Sequence, residues 1–594
     1  MGKPVVATDF GGTRDFLDAE SGWPVRAHPW TLDQDFGHYT SGGSWARVDE
    51  PALTQALTMA ADAVEAGDDG KSAAARARIA ERLSQAAVAE RIRGSFDHLH
   101  IAAEPRGLSF SVNARAGMPV EHVAFGDGLH MLLLAPDGAL ESLAPLDLPD
   151  ADDAWVVLAP RGSRLAPMFE RAWRDARQAR PDAGIFFGDD VAVEAARPID
   201  QLRLKPCFDP TLLVAQDYIG APLIVKAAVL RDIGLDPAMG SAALDHLLFR
   251  AHHAGVPIAR IAQVLLCHPG ERPQADPVTR RRMLESLPPY RDQIFVEGRS
   301  PGTLLQRRRF GKAMPEVSLV IPPRRSRLPD SRTTYVERLL KAVAKVDWPM
   351  DRLTVIVGDD VAGEPAWAKR EWPFTLRRIE TLRAPDEPFN YAAKMNRLWR
   401  AATSEQIVLM NDDLLPVDGG WLRALIGFTL DEGVGGVGGR LLYADGRLQH
   451  AGIAPLFGAI AHPWAGRSTD RATYQDWASV QRQWSAVTGA LFAARRSVLE
   501  RIGGFDEQFT LEYNDIDMCL RIRTLGLRIV CTPDAEMVHA EKASRGDMPA
   551  GGDQYAMFML RWKAWLAQDP SWHPALRWDS FEVMPVDDRE AWYR

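Results

Sequence analysis

Three short apolar runs in the last half of the chain each stop at turn-forming or polar residues. Val317-Ser318-Leu319-Val320-Ile321 stops at Pro322-Pro323, and Leu353-Thr354-Val355-Ile356-Val357 at Gly358-Asp359-Asp360. Gln406-Ile407-Val408-Leu409-Met410 stops at Asn411-Asp412-Asp413. Runs of this length bounded by breakers are read as buried strands. Residues 335–346 between them carry apolar positions at helical spacing. Strands alternating with helices imply a mostly parallel sheet with helices on its faces. In such sheets ligands sit beyond the carboxyl ends of the strands, where the polar clusters fall. The expected class is therefore α/β.

The same rhythm occurs upstream. Met131–Leu134, Trp155–Leu158 and Ile185–Phe187 read as strands, and Phe169–Arg177 as a helix. Residues 273–315, rich in Arg and Pro, read as a helical linker. Near the start, Pro4–Thr8 reads as a strand and Gly11-Gly12 as its turn. Helical patterns follow over 51–66 and about 72–99. The expected divisions are 1–104, 105–272, a linker at 273–315, and 316–594.

Length and charge narrow the function. A chain of 594 residues has room for several cores. Its net charge of -9 argues against nucleic acid as a partner. The basic runs Arg280-Arg281-Arg282 and Arg307-Arg308-Arg309 are expected to be solvated faces. The four cysteines form no CxxC pair, so neither a zinc site nor a disulfide framework is expected. The opening MGKPVVATDF lacks a basic-then-apolar signal, Val6 breaks the myristoylation pattern, and no apolar run is long enough to span a bilayer. A cytoplasmic location is expected, with peripheral docking at the inner face of the membrane left open.

Taken in order, the motifs of 316–575 resemble glycosyltransferase family 2, which has the GT-A fold. The resemblance is carried by Val317–Pro322, Pro388-Phe389-Asn390-Tyr391, Asn411-Asp412-Asp413, Gly438–Tyr443 and Gln449-His450-Ala451-Gly452. It continues through Ser485–Ala490, Ile502–Glu507, Asn514-Asp515-Ile516-Asp517, His539 and Ala543–Gly546. The string is similar to the branch found in O-antigen and other surface-polysaccharide assembly, including rhamnosyltransferase-like proteins.

The middle region resembles the first domain of tandem family members through Phe187–Asp190, Lys205–Pro210 and Gln216–Gly220. It has Leu158–Gly162 where the acidic metal motif would stand and Ser241–Asp245 where the base would stand. Neither Ala159 nor Arg161 offers the oxygen ligand that a hard cation needs, so this degenerate GT-A-like domain is read as inactive, with Asp245 the one reservation. The first 100 residues resemble the last portion of a family 4 glycosyltransferase of GT-B fold, through Gly2–Thr8, Gly11–Leu17 and Ser44-Trp45-Ala46. That partial Rossmann-like segment is either a remnant or the product of a misplaced start codon.

Site roles follow from the resemblance. Glycosyl transfer needs a cation on the departing diphosphate and a carboxylate near the acceptor hydroxyl. The resemblance implies Mg²⁺ or Mn²⁺ held by Asp413, with Asn411 and His539, and Asp515 as the general base. Pro322, Asp359, Asn396, Asp412 and Gly489 would bind the nucleotide-sugar donor. Trp484, Thr488, Asn514 and Arg545 would meet the glycan or lipid-linked glycan acceptor.

Plainer readings stand beside these. Asn411–Asp413 could be a turn, Asn514 or Asp515 a helix cap, His539 structural, Gly489 a packing glycine and Trp484 core. Asp517 and Arg521, at i and i+4, are expected to be a surface ion pair. Two rival functions are a non-catalytic scaffold or glycan-binding protein in an assembly complex, and a nucleotidyltransferase. The latter wants a glycine-rich loop, and Pro322-Pro323-Arg324-Arg325 has the charge without the glycines.

Overall fold

The computed structural model describes residues 3–10, 13, 17–31, 44–83, 118–123, 125, 128–135, 153–192, 202–268, 272–323, 325–329, 331–382, 388–540 and 552–585. These fall into two compact units, Met1–Leu108 and Ser109–Arg594.

In the first unit, Val6–Thr8 pairs in parallel with Trp23–Val25, and Ala27–Thr31 pairs antiparallel with Ser44–Val48. The helix Glu50–Glu65 begins where the Asp49 carboxylate accepts from Ala52 N, with Pro51 in its first turn. It packs Ala56 and Ala60 against Trp23 and Val25. A second helix spans Gly70–Leu83, and the rest of the pattern expected to 99 lies outside the described residues, as does the Gly11-Gly12 turn.

The second unit is built on two mixed α/β sheets. In the C-terminal sheet the strands run in the order Thr375–Glu380, Leu353–Asp359, Val317–Ile321, Gln406–Met410, Leu491–Arg495, Val434–Leu442, Arg528–His539, Leu414–Pro416. The first four are mutually parallel. This is the Rossmann-like arrangement expected for that region. The carboxyl ends of Leu353–Asp359 and Gln406–Met410 therefore open on one edge.

The upstream sheet repeats most of this pattern. From Leu129–Leu134 the order runs through Trp155–Pro160, Leu223–Lys226, Ile185–Ala192 and Ile258–His268 to Arg164–Leu165. The successive pairings are parallel, antiparallel, antiparallel, parallel, antiparallel. From Val317–Ile321 the C-terminal sheet gives the same sequence of senses. Among the described residues nothing pairs with the outer edge of Leu129–Leu134, where the C-terminal sheet adds Leu353–Asp359 and Thr375–Glu380.

The connecting stretch differs from expectation. It is helical over Pro277–Ser286 and then forms an antiparallel hairpin, Gln293–Glu297 with Leu304–Arg308. Burial of both Leu304 and Leu305, on opposite faces of the Leu304–Arg308 strand, overrides a composition that looked like linker. Arg280 is no solvated residue: it is buried, and its Nε donates to Asp245 Oδ2 at 2.7 Å.

The two sheets share a continuous apolar core. Polar ties reinforce it. Asp209 caps the helix Pro210–Ala215 through Oδ1 and accepts from Gln483 N at 2.8 Å through Oδ2. Residues 569–573 thread the same seam: Cys207 N donates to Pro570 O at 2.9 Å, Arg482 Nη2 to Ser571 O at 2.7 Å, and His573 Nε2 lies 2.9 Å from Asp189 Oδ2.

Candidate active site

The C-terminal sheet gathers the residues of interest at one edge by register. Leu414 pairs with His539, the last residue of Arg528–His539. The strand thus runs on past Cys531 and ends at His539 itself. His539 Nε2 lies 3.2 Å from Asp413 Oδ1, and the ring's Nδ1 is 2.7 Å from Gln449 Oε1. If Nδ1 carries the proton to Gln449, the bare Nε2 faces a carboxylate oxygen that is buried and accepts no hydrogen bond among the described residues. Two facing acceptors need a proton or a cation between them. Asp413 and His539 thus fit two ligands of a divalent ion, for which water and phosphate oxygens would have to supply the rest. Among the described residues no cluster of three or more His, Cys, Asp or Glu forms a complete cage.

Asn411 sits on the same edge. Its backbone N donates to Ala490 O at 2.9 Å, and its side-chain Oδ1 accepts from Tyr391 Oη at 3.4 Å. That bond to Ala490 brings in Gly489, whose N donates to Asp515 Oδ2 at 2.7 Å. A methyl on Gly489 would stand 2.9 Å from Asp515 Cβ, so the glycine is set by close approach. Asp515 opens the helix Asn514–Thr524, with Oδ1 accepting from Ile516 N at 2.9 Å. Tyr513, just before it, holds a left-handed backbone (φ 59°), a strained turn that aims the helix start. Asn514 is buried and donates to Leu511 O. Thr488 is half-buried, and its N donates to His450 Nε2 at 3.4 Å.

Several expected contacts fall elsewhere. Trp484 is fully buried and has no face for a sugar: it packs edge-on to Trp464 and Trp477, with the Arg482 guanidinium 4.2 Å from its ring. Asn396 is also buried, donating to Phe505 O and Glu507 Oε1 while Oδ1 accepts from Trp399 Nε1 and Phe505 N. It ties the helix Tyr391–Arg400 to the Gly503-Gly504-Phe505 turn and has nothing left for a donor. Asp359 is buried under two guanidiniums, from Arg325 and Arg378. Burial works to raise its pKa, but hydrogen bonds from Arg325 and Arg378 outweigh it and hold the carboxyl below the usual range. A nucleotide would meet those arginines before it met Asp359. Pro322 is half-buried at the same edge, while Lys394 Nζ bonds Pro323 O at 3.2 Å and Asp360 Oδ2 at 2.7 Å. Asp412 is buried beside Asp413. Arg545 lies outside the described residues. Asp517 is no surface partner: it is fully buried and accepts from Arg521, Arg561 and Trp562 Nε1.

Sequence reading missed roles for Gln449, which orients His539, and for Arg325, Arg378 and Lys394. Their signal was faint. Gln449 stood in a matching motif without an assigned task, Arg325 was read as charge alone, and Arg378 and Lys394 stood out in no motif.

Residues 315–563 match the family described as Glycosyltransferase like family 2. This region is a glycosyltransferase family 2-like domain. The chain is 29% identical to O-antigen biosynthesis protein RfbC of Myxococcus xanthus over 418 residues, 67% of this chain and 32% of that one. It is 30% identical over 98 residues to an N-acetylglucosaminyl-diphospho-decaprenol L-rhamnosyltransferase of Mycobacterium tuberculosis, covering 16% of this chain and 30% of that one. The chain thus spans about a third of the length of each relative. Among solved structures it is similar to the mannosyltransferase PcManGT from Pyrobaculum calidifontis in complex with GDP-Man and Mn²⁺, at 22% identity and TM-score 0.28, over 40% of this chain and 59% of that one. Within the family 2 domain, the Asn411–Ala490 bond joins the segment that carries Asp413, paired with His539, to the segment that carries Gly489, bonded to Asp515.

The upstream sheet can be set against the family 2 domain residue by residue. Lys226 and Arg495 each end a strand and cap the helix that follows directly, and they pair with Trp155 and Gln406. Counting on from those partners, Pro160, Arg161 and Gly162 stand where Asn411, Asp412 and Asp413 stand. The helices Ala243–His253 and Asn514–Thr524 have equal length, which puts Leu244 at the place of Asp515. Asp245 is one position on, turned inward to Arg280. Burial, and then the charge of Asp217, push its carboxyl up to about 7 against the pull of Arg280.

Proposed function

We propose that the family 2 domain transfers a sugar from a nucleoside-diphosphate sugar to a hydroxyl of a growing surface glycan, free or lipid-linked, with inversion at the anomeric carbon. The observation that carries this reading is the convergence of Asp413, His539 and Asp515 on one sheet edge through the Asn411–Ala490 and Gly489–Asp515 hydrogen bonds. Asp515 takes the proton of the acceptor hydroxyl. The acceptor oxygen bonds to the anomeric carbon as that carbon's bond to the diphosphate oxygen breaks, and the nucleoside diphosphate leaves. Gly489 N and Ile516 N fix the two oxygens of Asp515, so the base is oriented before the acceptor arrives. Asp413 and His539 would hold Mg²⁺ or Mn²⁺, which would supply positive charge beside the departing diphosphate. Arg325 and Arg378, anchored by Asp359, line the edge on which a nucleotide would lie.

The upstream sheet is proposed to be an inactive copy in a tandem arrangement. Arg161, Gly162 and Leu244 support this, since none has a side chain that can ligate a cation or act as a base. Residues 1–104 are proposed to derive from a GT-B segment. The names of the relatives support action in surface-polysaccharide assembly, which is proposed to take place on the cytoplasmic side of a membrane. Among the described residues no helix is long and apolar enough to cross one.

Nucleotide release from UDP-, dTDP- and GDP-sugars, with and without Mn²⁺ or Mg²⁺, tests the proposal. Metal-dependent release from one donor, reduced about hundredfold or more in Asp413→Ala and Asp515→Ala, is expected. Well-folded protein that neither releases nor binds nucleotide in a metal-dependent way would favour the scaffold role instead.

A further inference from the structure

A cavity of about 710 Å³ lies between the two sheets, away from the edge that carries Asp413. Its floor is the start of the Arg528–His539 strand, whose far end is His539. At about 3.3 Å per residue the two ends of this 12-residue strand are up to roughly 36 Å apart. The volume falls within the range of small-molecule sites.

The lining is both cationic and aromatic. Arg308, Arg523 and Arg528 face it, with Tyr290, His252 and Phe428 as ring walls. Arg528 is already engaged, by Asp431 at 2.6 Å and Thr211 at 2.8 Å. Arg523 donates to Gln483 Oε1 at 3.1 Å, with Asp569 and Asp209 acting on it only beyond ion-pair distance, and among the described residues neither Arg523 nor Arg308 forms an ion pair. Asp431, committed to Arg528, is the one acid in the lining. The rings are ordered by their own contacts, His252 against Phe208 at 5.2 Å and Tyr290 against Phe249 at 5.6 Å. Two guanidiniums without a directly paired carboxylate in a half-enclosed space gain from an anion that pairs with them. Their fork geometry suits phosphate, and aromatic walls suit a ring.

We propose that this cavity binds a phosphate-bearing ring compound, a nucleotide or a sugar phosphate, at a site separate from the catalytic edge. Gln483 links it to that edge in sequence, because Arg482–Trp484 leads through Val487 to Thr488 and Gly489.

Titration calorimetry of the full-length chain with UMP, glucose 1-phosphate and inorganic phosphate tests this, in the absence of divalent metal. The background is Asp413→Ala, so that the catalytic edge contributes little. Binding of UMP or of glucose 1-phosphate, tighter than that of inorganic phosphate and weakened about tenfold by Arg308→Gln, is expected; which of the two binds identifies the source of the phosphate. Arg308→Lys should recover part of the loss, and the melting temperature of each variant reports folding. Absence of binding, or binding indifferent to both Arg308→Gln and Arg523→Gln in folded protein, would overturn the proposal. Neither result bears on Asp413 or Asp515, so the site can fail without the transferase reading failing.

Discussion

Gly489 N donates to Asp515 Oδ2 at 2.7 Å, and the glycine has no Cβ because Asp515 Cβ would be only 2.9 Å from it. Gly489→Ala is therefore expected to push the proposed base out of line. Transfer should fall about hundredfold while donor-dependent binding and melting temperature change little. Equal turnover in the alanine variant would remove Asp515 from the reaction.

Gln449 holds His539 by its Nδ1. Gln449→Ala should weaken Mn²⁺ dependence of activity by about ten- to hundredfold, the usual effect of losing a partner that orients a metal ligand. A metal titration curve unchanged by the substitution would show that His539 is not a ligand.

Trp484→Ala should cost about 3–5 kcal/mol of stability, since an indole packed between Trp464, Trp477 and Arg482 leaves a large cavity. Denaturant unfolding measures it. Weaker acceptor binding with unchanged stability would restore the sugar-platform role.

Asp517→Ala should cost about 3–5 kcal/mol as well. The helix Gly552–Leu566 is pinned through this buried carboxylate by Arg561 and Trp562, and removing it strands the guanidiniums. A shift below about 0.5 kcal/mol would return the pair with Arg521 to the surface class.

His450 supplies a pH test. Burial first, then the neighbouring His462 and His539, hold it well below the ordinary histidine value. Its folded-state pKa is depressed, so the stability that it permits above pH of about 6.5 is lost as the pH falls. Unfolding free energy should drop by up to about 1.4 kcal/mol per pH unit on acidification below that point, and His450→Gln should flatten the slope. A wild type that grows more stable between pH 7 and 5.5 would contradict the assignment.

The division between what was legible and what was not follows the range of the forces involved. Strands Val317–Ile321 and Gln406–Met410 were placed to the residue, because a buried run bounded by breakers is a local pattern. So was the position of Asn411-Asp412-Asp413 at a strand end, and with it the edge on which the site is built. Periodicity also found Phe169–Ala179 and Glu50–Glu65 within two residues.

Partners were not legible. Asn396 is satisfied by Phe505 and Glu507, more than 100 residues away, and Asp359 by Arg325 and Arg378 on neighbouring segments. Trp484 looks alike in sequence whether it faces a sugar or a core. By itself the sequence determined the alternation of elements, the sheet edge, and the residue types able to do the chemistry there. Only the tertiary structure decided which polar groups were already spent on the fold, because a buried donor or acceptor takes whatever partner packing brings to it.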